Sequence, residues 1–224
     1  MSMVEFQFNG DMLTDEYAEI WRYFGENGNV CPGDIRSLCE RADGDDIVLY
    51  FNSDGGMLIA GTEIYSILRE YKGTVTAHIQ SRAASSATVA MMACGKITAE
   101  PVALILIHNP TTYASGDAAQ MRMTAEELDS VKNAIMNAYT GRMNKSRDEI
   151  SALMDKNIWL DANAALAEGL IDEVLDSPKS AKGIINSSRQ SIYPTEKMIE
   201  DFRAAKSDEK NRILAAKAFL DNYR

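Results

Sequence analysis

Every position of the run Ile47-Val48-Leu49-Tyr50-Phe51 is apolar or aromatic, and residues 103–107 form a second run of the same kind. A strand with one wetted face alternates apolar and polar side chains. An unbroken run instead suits a strand covered on both faces, as in a parallel sheet flanked by helices. Parallel strands need a crossover of about a dozen residues or more, usually a helix, and the sequence between the runs has that form. Val4-Glu5-Phe6-Gln7-Phe8 alternates as a half-buried strand and ends at Asn9-Gly10, and helical patterns cover 14–24 and 34–41, the second with Ile35 and Leu38 inward. After the first apolar run come a helix over 58–71, a strand over 74–80, a helix starting near Ser85, a short strand near Ile97 and the strand 103–107. Helices alternating with buried strands predict an α/β fold.

Downstream, Met121, Thr124, Leu128, Val131, Ile135 and Ala138 recur every three to four residues, which predicts one amphipathic helix over 117–139. Its charged face carries Arg122, Glu126, Asp129 and Lys132. Ser146-Arg147-Asp148-Glu149 has the form of a capping box heading a helix with Ile150 and Leu153. Asp161 is suited to cap a further helix, which Gly169 would end. Residues 177–194 are rich in Ser, Lys and Gly and read as a linker, and charged helical patterns follow at 195–205 and 207–222. The expected division is a main domain over 1–176, a linker over 177–194 and a charged helical tail over 195–224.

Composition removes several classes of function. A formal net charge of -10 leaves no basic face for a phosphate backbone or an anionic bilayer, so neither nucleic acid nor membrane is expected as a partner. No stretch reaches the roughly 18 apolar residues of a spanning helix, and Met1-Ser2-Met3-Val4-Glu5 lacks the basic-then-apolar order of a secretion signal. A cytoplasmic location is expected. Cys31, Cys39 and Cys94 match neither a zinc site nor a CxxC pair, and read as reduced packing residues. Neither a metal nor a cofactor is called for.

The chain has only two histidines. His78 alternates with Val75, Ala77 and Ile79 inside a strand, whereas His108 stands where an apolar strand stops and Asn109-Pro110 turns away, the better place for a functional group. A hydrogen-bonded structural histidine is the alternative. Ser85 follows a strand and precedes the small-residue helical run Ser86-Ala87-Thr88-Val89-Ala90, so its hydroxyl either caps that helix or faces a ligand. Asn52-Ser53-Asp54-Gly55-Gly56 is either a plain turn or one that brings backbone amides to a substrate.

Taken in order, these segments resemble the proteolytic subunit of the Clp protease over residues 3–174. The family pattern of Asn-Ser-x-Gly-Gly, then Ala-Ala-Ser, then Ile-His-x-Pro stands here as Asn52-Ser53-Asp54-Gly55-Gly56, Ala83-Ala84-Ser85 and Ile107-His108-Asn109-Pro110. Trp159-Leu160-Asp161-Ala162, running on to Glu168-Gly169-Leu170-Ile171-Asp172, looks like the family's last helix and strand. The Asn-Pro after the histidine, the long helix after Gly116 and the divergent N-terminal part are most similar to phage or prophage members.

The resemblance implies a crotonase-like α/β spiral of βαβ units with a long oligomerisation helix. It implies a serine endopeptidase acting on extended or unfolded polypeptide, which in a phage includes capsid or scaffold protein. Ser85 becomes the nucleophile, His108 the base, and the amides of Gly56 and Ser86 the oxyanion hole. Thr111, Thr112 and Tyr113 fall in the edge that pairs with an extended peptide substrate. The aspartate that orients the histidine falls on Asn157, which can hold the ring through its amide oxygen but brings no charge, and Asp155 lies two residues earlier as a substitute. The implied partners are copies of the chain in heptameric rings, single or stacked, and a separate ATPase unfoldase, since no GxxxxGK[ST] motif is present. Two rival readings share the fold: an acyl-CoA-processing crotonase-like enzyme that does not need Ser85, and a ring-forming assembly protein that has lost catalysis.

Overall fold

The computed structural model of the chain describes residues 3–175 and 193–221. In chain order the elements are β1 (Met3–Met12), α1 (Asp15–Tyr23), β2 (Asn29–Val30), α2 (Pro32–Ala42), β3 (Asp46–Gly56), α3 (Leu58–Glu70), β4 (Val75–Ala84) and α4 (Ser86–Met91). They continue as β5 (Lys96–Ala99), β6 (Leu104–Leu106), α5 (Ala118–Thr140), α6 (Arg147–Lys156), β7 (Leu160–Asp161), α7 (Ala162–Glu168), β8 (Glu173–Val174) and α8 (Glu196–Asp221). The sheet runs β2-β1-β3-β4-β5-β8, and every pair along that path is parallel. β4 serves two neighbours, pairing with β5 over Thr76–Ile79 and with β6 over Arg82–Ala84. Among the described residues only β7 runs antiparallel, against β6.

The core lies between the sheet and α2, α3 and α4. Phe8 and Phe51 stack with centroids 4.4 Å apart, and Ile35, Leu38, Leu49, Ile64 and Ile79 are fully buried around them. Double-sided coverage of the run at 47–51 is corrected. Ile47, Leu49 and Phe51 are buried, but Val48 and Tyr50 on the other face are only half-buried, and the Tyr50 hydroxyl donates to Glu5 Oε1 at 3.0 Å. A tyrosine can sit in an apolar run on a half-wet face because its tip is polar.

The end signals read from sequence hold where the chemistry is local. Ser146 and Glu149 form a capping box at the head of α6, and Asp161 caps α7, which Gly169 ends in a left-handed turn at φ 81°; a further capping box, Asp117 with Gln120, heads α5. α5 buries Ile135, Met136, Ala138 and Tyr139 near its C-terminal end and leaves most of its first turns exposed. Of the expected linker, residues 177–192 lie outside the described residues. The tail is one helix, α8, and not two, because Ala205-Lys206-Ser207 contains neither Gly nor Pro to break it. It lies along α1, with Phe202 buried against Tyr23, Arg203 Nη2 at 3.0 Å from Glu16, and Lys206 paired with Glu19.

Candidate active site

Three parallel strands, β3, β4 and β6, end at the same edge of the sheet, and their registers decide what meets there. Ser53 pairs with Ala83, Ala84 pairs with Leu106, and the Ser85 amide donates to the Leu106 carbonyl at 3.0 Å. Ser85 therefore falls level with the end of β6, with His108 two residues past Leu106 and the Gly55-Gly56 turn on the opposite side. Carboxyl ends of parallel strands are where open α/β sheets place ligands.

Ser85 joins β4 to α4 at φ 56° and ψ -129°, a conformation that residues with a Cβ rarely adopt. Its side chain makes no capping bond, so the simple helix-cap alternative for the hydroxyl does not apply here. The strained turn is held from several sides. The Ser85 carbonyl accepts from the Thr88 amide at 2.9 Å and from the Thr88 hydroxyl at 2.6 Å, and that hydroxyl in turn meets Tyr139 Oη at 2.7 Å. Tyr139 is buried on α5, and burial raises its phenol well above the usual range, so it stays protonated and can donate to Thr88. The Gly-Gly turn must be bare where it touches this corner. A Cβ on Gly55 would stand 2.5 Å from the Ala84 carbonyl oxygen and 2.8 Å from Ser85 Cβ, and Gly55 has φ 91°. Gly55 accepts its kinked place partly because its amide donates to Ser53 Oγ at 3.0 Å, while that hydroxyl donates to the Gly10 carbonyl at 2.6 Å.

His108 is half-buried, and its Nδ1 lies 2.6 Å from the main-chain oxygen of Asn109. A carbonyl oxygen only accepts, so Nδ1 carries the proton in this arrangement, which in the neutral ring leaves Nε2 its lone pair. Asn157 is not joined to the ring. It ends α6 as an exposed left-handed residue at φ 48°, donating its amide to the Met154 carbonyl at 3.2 Å. An asparagine tolerates that conformation, which is the local reason for its presence. Asp155 does not reach the ring either: its Oδ1 accepts from Asn109 Nδ2 at 2.8 Å and from Lys132 Nζ at 2.9 Å. Those two donors, the amide first, hold the Asp155 carboxyl below its ordinary range.

Ser85, Ser86, His108 and Gly56 line one cavity of about 340 Å³. Its floor is apolar, with Val89 of α4 and Leu128, Val131 and Ile135 of α5, so part of the stripe recognised on the long helix is a pocket wall. Thr111 also lines it, whereas Thr112 and Tyr113 stand exposed in the irregular segment before α5. Tyr193 is a lining residue that sequence reasoning missed. It lies beyond the motifs, and its ring makes a T-shaped contact with Tyr17 of α1, at 6.2 Å between centroids.

The remaining reactive groups stand elsewhere. Burial pushes the Cys31 and Cys94 thiols up to about 12, which keeps both protonated at neutral pH. His78 meets Thr98 Oγ1 through Nδ1 at 2.9 Å and Glu100 through Nε2 at 3.3 Å, a structural role inside the sheet. Among the described residues, no cluster of three or more His, Cys, Asp or Glu side chains is placed to hold a metal, and no helix is long and apolar enough to cross a membrane.

A parallel α/β sheet whose strand ends bring a strained serine, a histidine and a Gly-Gly turn to one pocket defines the class, a crotonase-like fold with a serine–histidine cavity. The model of the Clp protease family matches residues 33–178, and the chain belongs to that family. It is 34% identical over 134 residues to an ATP-dependent Clp protease proteolytic subunit of Bacteroides fragilis, covering 59% of this chain and 65% of that one. It is 30% identical over 150 residues to the subunit of the same name from Porphyromonas gingivalis, covering 66% and 68%. The matched part thus spans just under two thirds of the first of these relatives. Among solved structures, a ClpP1 mutant of Listeria monocytogenes, with asparagine replaced by aspartate, superposes at a TM-score of 0.63 with 20% identity, over 78% of this chain and 91% of that one. That likeness establishes the fold.

Proposed function

We propose that this chain is a serine endopeptidase that cleaves extended or unfolded polypeptide. Ser85 Oγ attacks the scissile carbonyl while His108 Nε2 takes its proton, and the amides of Gly56 and Ser86 receive the developing oxyanion. His108 then returns the proton to the leaving amine, and water repeats the sequence on the acyl-enzyme. The observation that carries the reading is the turn at Ser85: a residue with a Cβ held at φ 56°, its hydroxyl unused as a cap, at the wall of the cavity that it shares with His108 and Gly56. Strain of this kind persists only where surrounding contacts over-determine it, and it collects at functional sites.

Val89, Leu128, Val131 and Ile135 suit the cavity to an apolar side chain next to the cleaved bond. The substrate main chain pairs along residues 111–116, with Thr111, Thr112 and Tyr113 beside it. By membership in the family we assign the chain to self-assembling rings, heptameric in our reading, served by a separate ATPase unfoldase in the cytoplasm. A fluorophosphonate probe should label wild type at Ser85 and fail on Ser85→Ala, with casein hydrolysis lost in the same variant. An unlabelled Ser85 in a folded protein that binds CoA esters tightly would replace the peptidase by the acyl-CoA reading.

A further inference from the structure

We propose that Asp155 is the positioning residue for His108, acting through Asn109: the carboxylate holds the Asn109 side chain, and the Asn109 carbonyl holds the ring. The inference rests on the peptidase reading above and supplies what that reading lacks, an orienting group for the base.

The chain of contacts is continuous. Lys132 Nζ on α5 donates to Asp155 Oδ1 at 2.9 Å, Asn109 Nδ2 donates to the same oxygen at 2.8 Å, and the Asn109 carbonyl accepts from His108 Nδ1 at 2.6 Å. Asn109 precedes Pro110, whose ring confines it to extended backbone, so fixing its side chain leaves its carbonyl little freedom to swing. The Asn109 amide can sit only one way. Flipping it would set Oδ1 against the Asp155 carboxylate, whereas in the arrangement present Oδ1 is buried with no hydrogen-bond partner. Leaving a buried acceptor unpaired is unfavourable, and the Asp155 contact offsets that cost.

The chemistry needs this. Which imidazole nitrogen is protonated is set by the hydrogen bond that the other part of the ring makes, and a general base must present a bare Nε2 to the serine. In a triad the acid touches Nδ1. Here a main-chain carbonyl touches it, and the acid stands one residue further out, anchored by two helices. An asparagine at position 157 is then no defect, because the orienting negative charge enters from α6 two residues earlier.

The experiment compares Asp155→Ala, the isosteric Asp155→Asn and Asp155→Glu with wild type in the full-length protein, using a peptide substrate. Asp155→Ala should lower kcat on the order of tenfold, the range for a group that acts through another, with KM and Tm little changed. Asp155→Glu should restore a large part of the loss. Because only His78 and His108 are present, ring nitrogen resonances of ¹⁵N-histidine protein can be assigned with a His78→Gln variant. They should show His108 protonated on Nδ1 in wild type and shifted towards Nε2–H in Asp155→Ala and Asp155→Asn. An unchanged kcat and tautomer in those variants would overturn the proposal, as would a loss in Asn157→Ala equal to that in Asp155→Ala. Should Ser85 prove unreactive, the ring spectra still decide the relay, so the two failures are told apart.

Discussion

Replacing Ser85 separates the cost of its backbone from the value of its hydroxyl. Ser85→Ala and Ser85→Gly both remove Oγ, and neither loses a folded-state hydrogen bond of the side chain, since none caps α4. They differ in tolerance of φ 56° and ψ -129°. Holding a residue with a Cβ in such a region costs about 1–3 kcal/mol, and glycine is released from most of that. Glycine in turn carries an unfolded-state entropy penalty of roughly 0.5–1 kcal/mol relative to alanine. The difference leaves Ser85→Gly more stable than Ser85→Ala by about 1 kcal/mol, or a Tm about 2–4 °C higher for a chain of this length. At an ordinary position the order is reversed, so the sign alone is diagnostic. The assay is thermal or urea unfolding of both variants at one protomer concentration, because assembly would otherwise contribute. Should Ser85→Ala match or exceed Ser85→Gly, the strained-turn argument fails, and with it the main support for Ser85 as nucleophile.

Gly55→Ala should abolish probe labelling of Ser85 and cost about 1–3 kcal/mol, because its Cβ would meet the Ala84 oxygen at 2.5 Å; retained labelling would show that the corner yields. Asp34 is raised by its burial but lowered more by the hydrogen bonds of Arg22, at 3.0 and 2.6 Å, and by the Cys31 amide, for a net fall below its ordinary value of 3.8. A group with a depressed native value contributes stability above its unfolded value and loses it as pH falls through the native one. Asp34→Asn should therefore be less stable than wild type by about 1 kcal/mol at neutral pH, and the gap in Tm should close as pH falls below 3.8; a gap that is constant with pH would refute the pair's role. Tyr193→Ala should open the cavity wall and raise the preference for aromatic over small apolar side chains at the cleaved residue by roughly tenfold, read as kcat/KM on matched peptides. Equal ratios in wild type and variant would place Tyr193 outside the working pocket.

What was legible in the sequence is what short stretches decide for themselves. The capping box at Ser146, the cap at Asp161 and the stop at Gly169 hold because a side chain and an amide three residues away need no distant partner. The two-residue strands β2 and β7 carry no periodicity and escaped notice. The apolar run at 47–51 suggested two covered faces, but an apolar letter records preference and not contact, and Tyr50 satisfies its hydroxyl on Glu5. The motifs around Gly55, Ser85 and His108 singled out the three segments of the candidate site, and the structure brings them to one cavity.

The order of elements and the chemically capable residues follow from the sequence, since periodicity and caps act within one helical turn or one strand. The company those residues keep was decided by tertiary structure. The register Ala84 to Leu106 sets Ser85 beside the strand that ends before His108, the packing of α5 against α6 turns Lys132 and Asp155 towards Asn109, and Tyr193, in contact with Tyr17 of α1, lines the cavity. Each is a meeting of segments far apart in the chain, and a side chain carries no local signal of a partner that only the folded sheet brings within hydrogen-bonding distance.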